Sequence, residues 1–189
     1  QATENSGTAL GVRVKDGVVF GVEKLGVSRL TVEGSSRRLL QVGRHHGLAV
    51  AGLSADCRQL AGRARQEASQ WQAAYAAVIP TRVLADRLAS FVHQHTLYGV
   101  LRPFGSAVLL GGWDPSASYQ LFALDGSGLC TGYSGVAVGK AASAARNEIE
   151  KMDLANMTAR EAVVAVAKAV YRVHDEVKDK DFELELSWV

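Results

Sequence analysis

Cysteine is scarce in this 189-residue chain: only Cys57 and Cys130 occur, far apart in sequence. Two isolated thiols exclude a disulfide scaffold and fit a reducing compartment, and both read as small buried hydrophobes. Proline is as sparse, with 3 residues, too few for a proline-rich linker. Neither sign of charge dominates, since 21 Lys and Arg against 19 Asp and Glu leave a formal +2. That balance argues against nucleic acid as a partner and against an acidic solvating tail. No uninterrupted apolar run reaches the ~20 residues of a membrane-spanning helix. Even the alanine-rich stretch 159–173 is broken by Arg160, Glu161, Lys168 and Arg172, so no membrane association is expected. Residues 1–6 lack the basic-then-apolar order of a secretory leader. The absence of an initiator Met is the expectation of a trimmed or partial polypeptide. What is present, 48% hydrophobic residues spread over the whole length, suits one packed domain spanning residues 1–189.

The hydrophobic spacing changes period along the chain. Residues 8–14 and 18–22, joined through Lys15-Asp16-Gly17, read as a β-hairpin, and 38–42 with 48–51 as a second. The period then lengthens to about 3.6: Leu60, Ala64, Ala68, Trp71 and Tyr75 mark a helix whose N-cap is sought in Ser54–Asp56. Pro80-Thr81 opens a second helix with Val83, Leu84, Leu88, Phe91 and Val92 on one face. Strand patterns return at 107–110, 119–124 and 129–133, with a turn at 113–115. Helices follow at 140–151 and 159–175, the latter preceded by Thr158 with Glu161 three residues on, a capping box. Strict alternation over 182–188 predicts a closing strand with one wet face. Antiparallel strand blocks alternating with paired helices predict an α+β fold, a four-layer α-β-β-α sandwich of two antiparallel sheets.

Few constellations suit catalysis. Gly135–Gly139 followed by Lys140-Ala141 has the wrong glycine spacing for a phosphate loop, and no Ser or Thr follows the Lys to hold a cation. Its glycines read as tight turning and close packing between a strand and the next helix. His45-His46 and His93-Gln94-His95 diverge on a strand or helix, so no metal site is expected. Gly132-Tyr133-Ser134-Gly135 lacks a residue of the nucleophile elbow. The charged run 175–181 reads as a solvated turn. Only Gly7-Thr8, just ahead of the first strand, has the outline of a bond that N-terminal-nucleophile hydrolases cut to free a Thr amine.

That outline extends into a family pattern. Gly7-Thr8-Ala9-Leu10-Gly11, Lys15-Asp16-Gly17-Val18-Val19, Ala51-Gly52-Leu53-Ser54-Ala55-Asp56, Arg102-Pro103-Phe104-Gly105 and Gly132-Tyr133 through Gly139-Lys140 resemble the proteasome core-particle subunits. The closing strings 174–180 and 182–188 resemble the α-type members in particular, and the likeness covers the whole chain. It implies an N-terminal-nucleophile hydrolase-like sandwich that is non-catalytic, with no catalytic residues and no cofactor. The position of the β-type nucleophile falls on Gly7, the carboxylate on Glu23, and the lysine near Arg38, a guanidinium that does not exchange its proton readily.

By the same resemblance, the chain belongs in a seven-membered α ring stacked on the β ring, serving ubiquitin-dependent protein degradation in cytoplasm and nucleus. Its partners would be neighbouring α subunits, β-ring subunits, a regulatory particle or other activators, and unfolded polypeptides in transit. Residues 54–96 would form the helix layer meeting the neighbouring ring, with Trp71, Tyr75, Leu84 and Phe91 on partly interfacial faces. Pockets between α subunits take activator C-terminal tails through a Lys near a Gly-Leu pair, which here matches Arg38, Gly52 and Leu53. Arg38 keeps the charge and changes the reach. The family's N-terminal gating segment, C-terminal helix and acidic tail are expected to lie outside residues 1–189. The alternative is a self-processing hydrolase with Thr8 as its new N-terminus.

Overall fold

A computed structural model describes residues 2–26, 30–32, 34–177 and 181–189. Strands β1 (Ala9–Val14) and β2 (Gly17–Leu25) form the first hairpin, with Val14 opposite Gly17 across a two-residue turn. Strands β3 (Leu39–Gln41) and β4 (His46–Gly52) form the second. Helices α1 (Ser54–Tyr75) and α2 (Thr81–Leu97) follow, and then β5 (Ser106–Asp114), β6 (Ser118–Leu124), β7 (Cys130–Gly132) and β8 (Gly135–Val138). Helices α3 (Ala142–Glu150) and α4 (Ala159–Val173) precede β9 (Phe182–Trp188).

One sheet runs β3-β4-β5-β6-β7 and the other β8-β1-β2-β9, with every neighbouring pair antiparallel. Three apolar layers result. Leu60, Ala64, Leu84, Leu88 and Val92 cover the first sheet from α1 and α2. Ala145, Ile149, Val166 and Val170 cover the second from α3 and α4. Phe20, Leu109 and Leu121 fill the space between the sheets. The four-layer sandwich expected from the spacing is therefore present.

Several local expectations need correction. The segment Gly135–Val138 is a strand, where only a glycine turn was expected. It pairs with β1, and a Cβ on Gly135 would lie 2.4 Å from Ile149, so the missing side chain lets α3 approach. No side chain caps α1; Asp56 is instead buried and turned toward Arg102 and Gly105. Strand β5 runs on through Trp113 and Asp114, which were read as a turn. Helices α3 and α4 are each shorter than the spacing suggested, while the Thr158–Glu161 capping box is formed. Leu84 is fully buried, so it belongs to the core and not to a contact face, whereas Tyr75 is exposed. Cys57 is buried but Cys130 only half-buried. In the charged run 175–181, Lys178, Asp179 and Lys180 lie outside the described residues, as does that part of the 174–180 string.

The polar face of β9 is only partly wet, because its carboxylates are engaged. Phe182, Leu184 and Leu186 pack under α4, while Glu183 receives Lys24 Nζ at 2.8 Å. Glu185 Oε2 accepts the backbone N–H groups of Arg38 at 2.9 Å and Leu39 at 3.2 Å. This carboxylate ties the edge strand of one sheet to the edge of the other.

Candidate functional site

The residues matched to catalytic positions gather at the end of the sandwich where β1 begins and β2 ends. A Cβ placed on Gly7 would lie 1.9 Å from the Glu23 carbonyl oxygen, so this position cannot carry a side chain in the present backbone. The next residue, Thr8, is wholly buried; its peptide N–H donates to Glu23 Oε2 at 3.0 Å and its hydroxyl accepts from Ala141 N–H at 3.2 Å. The other oxygen of Glu23 lies 2.6 Å from His174 Nδ1. Here the carboxylate serves the backbone and an imidazole, and the Thr8 hydroxyl is taken up by the Ala141 N–H. The sequence reading missed His174, which lies 151 positions from Glu23 and gives no local signal.

Arg38, Gly52 and Leu53 are brought together beside this network. Arg38 Nη1 donates to the Gly52 carbonyl at 2.7 Å, and the Gly52 N–H donates to Ser6 Oγ at 2.9 Å. Gly52 sits at φ +110° with Gly105 O 2.2 Å from where a Cβ would be, so no larger residue fits this crossing. Leu53 donates its N–H to Gly105 O at 3.0 Å and presents a half-exposed side chain. Asp56 fixes this corner by accepting two bonds from Arg102, at 2.6 and 2.8 Å, and one from Gly105 N–H at 2.8 Å. The bond from Arg102 holds the Asp56 carboxyl below its ordinary range against the opposing effect of burial, with help from Gly105. Burial pushes the neighbouring Cys57 thiol up, partly offset by Arg38. Asn5, Ser6, Gly7, Glu23, Lys24 and Arg38 line a small cavity of about 150 Å³ at this end.

The other candidates resolve as structure. His46 is buried beside Thr81 Oγ1 at 3.3 Å while His45 stacks on Trp113, so the pair diverges as expected. Among the described residues, no three His, Cys, Asp or Glu side chains converge to hold a metal, and no helix is long and apolar enough to cross a membrane. Ser134, the serine of the incomplete elbow, accepts a hydrogen bond from Arg13 at its hydroxyl.

The profile of the family described as "Proteasome subunit" matches residues 3–189. The chain belongs to the proteasome subunit family. Within it, the chain is 54% identical over its full length to proteasome subunit alpha type-3 of Acanthamoeba castellanii, covering 75% of that protein. It is 52% identical to proteasome subunit alpha type-3 of Spinacia oleracea, again over the whole chain and 76% of that protein. A probable proteasome subunit alpha type-7 of Saccharomyces cerevisiae is 42% identical, with 66% of its length covered. The four-layer sandwich is the architecture expected of proteasome subunits, and the likeness to α-type members read from the closing strand extends along the entire chain.

Proposed function

We propose that this chain is a non-catalytic, structural subunit of a proteasome α ring, contributing to ring assembly, to the channel lining and to activator docking in ubiquitin-dependent protein degradation. The observation that carries this reading is the filled nucleophile position. Gly7 has no room for a side chain, the Thr8 nitrogen is a peptide N–H held by Glu23, and the cation matched to the base lysine is a guanidinium bonded to Gly52. An arginine stays protonated throughout the range in which such chemistry runs. Thr8 processing is not favoured, because Gly7 is clamped between Glu23 and the turn at Gly139, whose Cβ position lies 2.5 Å from Gly7 O.

Its partners in this role are sister α subunits, β-ring subunits, a regulatory particle or other activators, and polypeptides in transit, in cytoplasm and nucleus. Activator tails would enter at Arg38, Gly52 and Leu53. The tail carboxylate would meet the Arg38 guanidinium, whose Nε and Nη2 bond no other oxygen among the described residues. Co-expression with sister α subunits followed by native mass spectrometry tests the assembly. Incorporation into a ring with Gln1 retained is the expected result; a stable monomer, or a new N-terminus at Thr8 with turnover of peptide amides, overturns it. In assembled particles, Arg38→Ala should weaken binding of an activator tail peptide about tenfold while Arg38→Lys retains it.

A further inference from the structure

A second concavity opens at the other end of the sandwich, about 20 Å along β1 from Gly7 by the rise of an extended strand. On β1, Leu10, Val12 and Val14 turn toward the α3–α4 layer, so Arg13 continues the face of Ala9 and Gly11 that looks between the sheets. There Arg13 Nη2 donates to Ser134 Oγ at 3.3 Å, and the Arg13 N–H donates to Ser134 O at 2.7 Å. Among the described residues, neither Arg13 nor Lys15 forms an ion pair. The cavity, of about 330 Å³, is lined by these two cations, the hydroxyl-bearing Ser118, Tyr119 and Ser134, and the apolar Leu154, with no carboxylate in its wall. Three acids near this end have partners of their own: Asp16 accepts the Ala159 N–H, Asp114 accepts from Thr81, Ser116 and Ala117, and Glu161 is held charged chiefly by the Thr158 N–H and hydroxyl, with a lesser contribution from Lys15. Unpaired cations beside hydroxyl donors form a receptor for an oxyanion, and two cations match a dianion better than a monoanion.

We propose that this cavity binds a phosphate monoester. Arg13 presents a planar fork to two phosphate oxygens, Lys15 on its turn supplies a mobile point charge, and the hydroxyls of Ser118, Tyr119 and Ser134 donate to what remains. Leu154 and the Tyr119 ring form the wall against which the carbon side of the ester rests. The phosphate can come from a free small molecule or from a phosphorylated side chain of a neighbouring protein. The site shares no residue with the Arg38 pocket, so it stands apart from the proposed tail docking.

The test is titration of assembled particles with phenyl phosphate, benzoate and a phosphoserine hexapeptide, read by equilibrium dialysis as sites per copy of this chain. The comparison is between the wild-type chain, Lys15→Gln, and the double variant Arg13→Gln/Lys15→Gln. Lys15→Gln leaves the Arg13–Ser134 bonds in place and guards against simple misfolding. The expected result is one phenyl phosphate site per copy, weakened about tenfold by Lys15→Gln and lost in the double variant, with benzoate at least about tenfold weaker. A hexapeptide binding more tightly than phenyl phosphate identifies a phosphorylated protein segment as the source; equal binding identifies a free phosphoester, and either supports the site. Unchanged affinity in both variants, benzoate binding as well as phenyl phosphate, or no phenyl phosphate site overturns it.

Discussion

The two ends of this sandwich handle charge in opposite ways. At the end holding Gly7, Arg38 and Gly52, buried charged side chains are given partners: the Glu23 carboxylate bonds His174, Asp56 pairs with the exposed Arg102, and Lys24 pairs with Glu183 and Glu185. Each of these carboxylates also bonds backbone N–H groups or lies beside one that does, so breaking a pair would strand a charge and loosen the strands it holds. At the far end the buried His46 is kept neutral by burial, the buried Asp114 is held by the N–H groups of Thr81, Ser116 and Ala117 and the Ser116 hydroxyl instead of a cation, and Arg13 and Lys15 are left facing solvent. A closed, cross-linked end suits permanent contacts, while an open end with unspent hydrogen-bonding capacity suits exchangeable ones.

The sharpest way to break this comparison is to disturb the crowded end through its backbone. Gly7→Ala forces a methyl into the Glu23 carbonyl, which cannot retreat because the Glu23 N–H is bonded to Thr8 O at 2.8 Å. The expected cost is about 4 kcal/mol or more, the range reached by clashes that the surrounding structure cannot relieve. Urea unfolding of the variant checks it, and a cost under about 1 kcal/mol would show that the end is softer than its bonds suggest.

The next effect separates the ends by pH. Burial lowers the His46 pKa to about 4, with His45 adding to the shift and Asp114 opposing it. Below 6.5 the unfolded chain takes up a proton at this residue that the folded chain refuses until about pH 4, so stability falls as pH drops through that window. The total loss is of order 3 kcal/mol. The depressed Asp56 carboxyl behaves differently: its contribution is intact above 3.8 and is lost only as pH falls through its lowered folded value. Unfolding measured at pH 7, 6 and 5 should therefore show a decline that His46→Gln removes and Arg102→Ala does not. A decline carried equally by both variants would erase the distinction between the ends.

These pairings explain which parts of the molecule were legible in the sequence. Hairpins, long helices and the Thr158 capping box depend on residues a few positions apart, and each appears close to where its spacing put it. The strand β8 escaped because it is four residues long and flanked by glycines that read as a turn; its partner strand β1 lies more than a hundred residues away. Asp56 resembled a helix cap until Arg102, 46 positions on, claimed it. The alternation of β9 showed a polar face, but nothing local reveals that Glu183 and Glu185 on it reach Lys24 and Arg38. At the site, sequence likeness picked out Gly7, Glu23, Arg38, Gly52 and Leu53, but their gathering at one end and the supporting Ser6, His174 and Gly105 required the fold.

The smallest effect belongs to the open end. Ser134→Ala removes the hydroxyl that Arg13 reaches at 3.3 Å, but leaves the backbone bond from Arg13 N–H to Ser134 O at 2.7 Å, and Ser134 is exposed. The guanidinium regains water in place of the lost hydroxyl, so the expected change in unfolding free energy is under about 0.5 kcal/mol. Thermal and urea unfolding of the variant beside Gly7→Ala measures both ends on one scale. A Ser134→Ala cost approaching that of the crowded end would mean that Arg13 is held as structure, which would remove the freedom that an exchangeable anion requires.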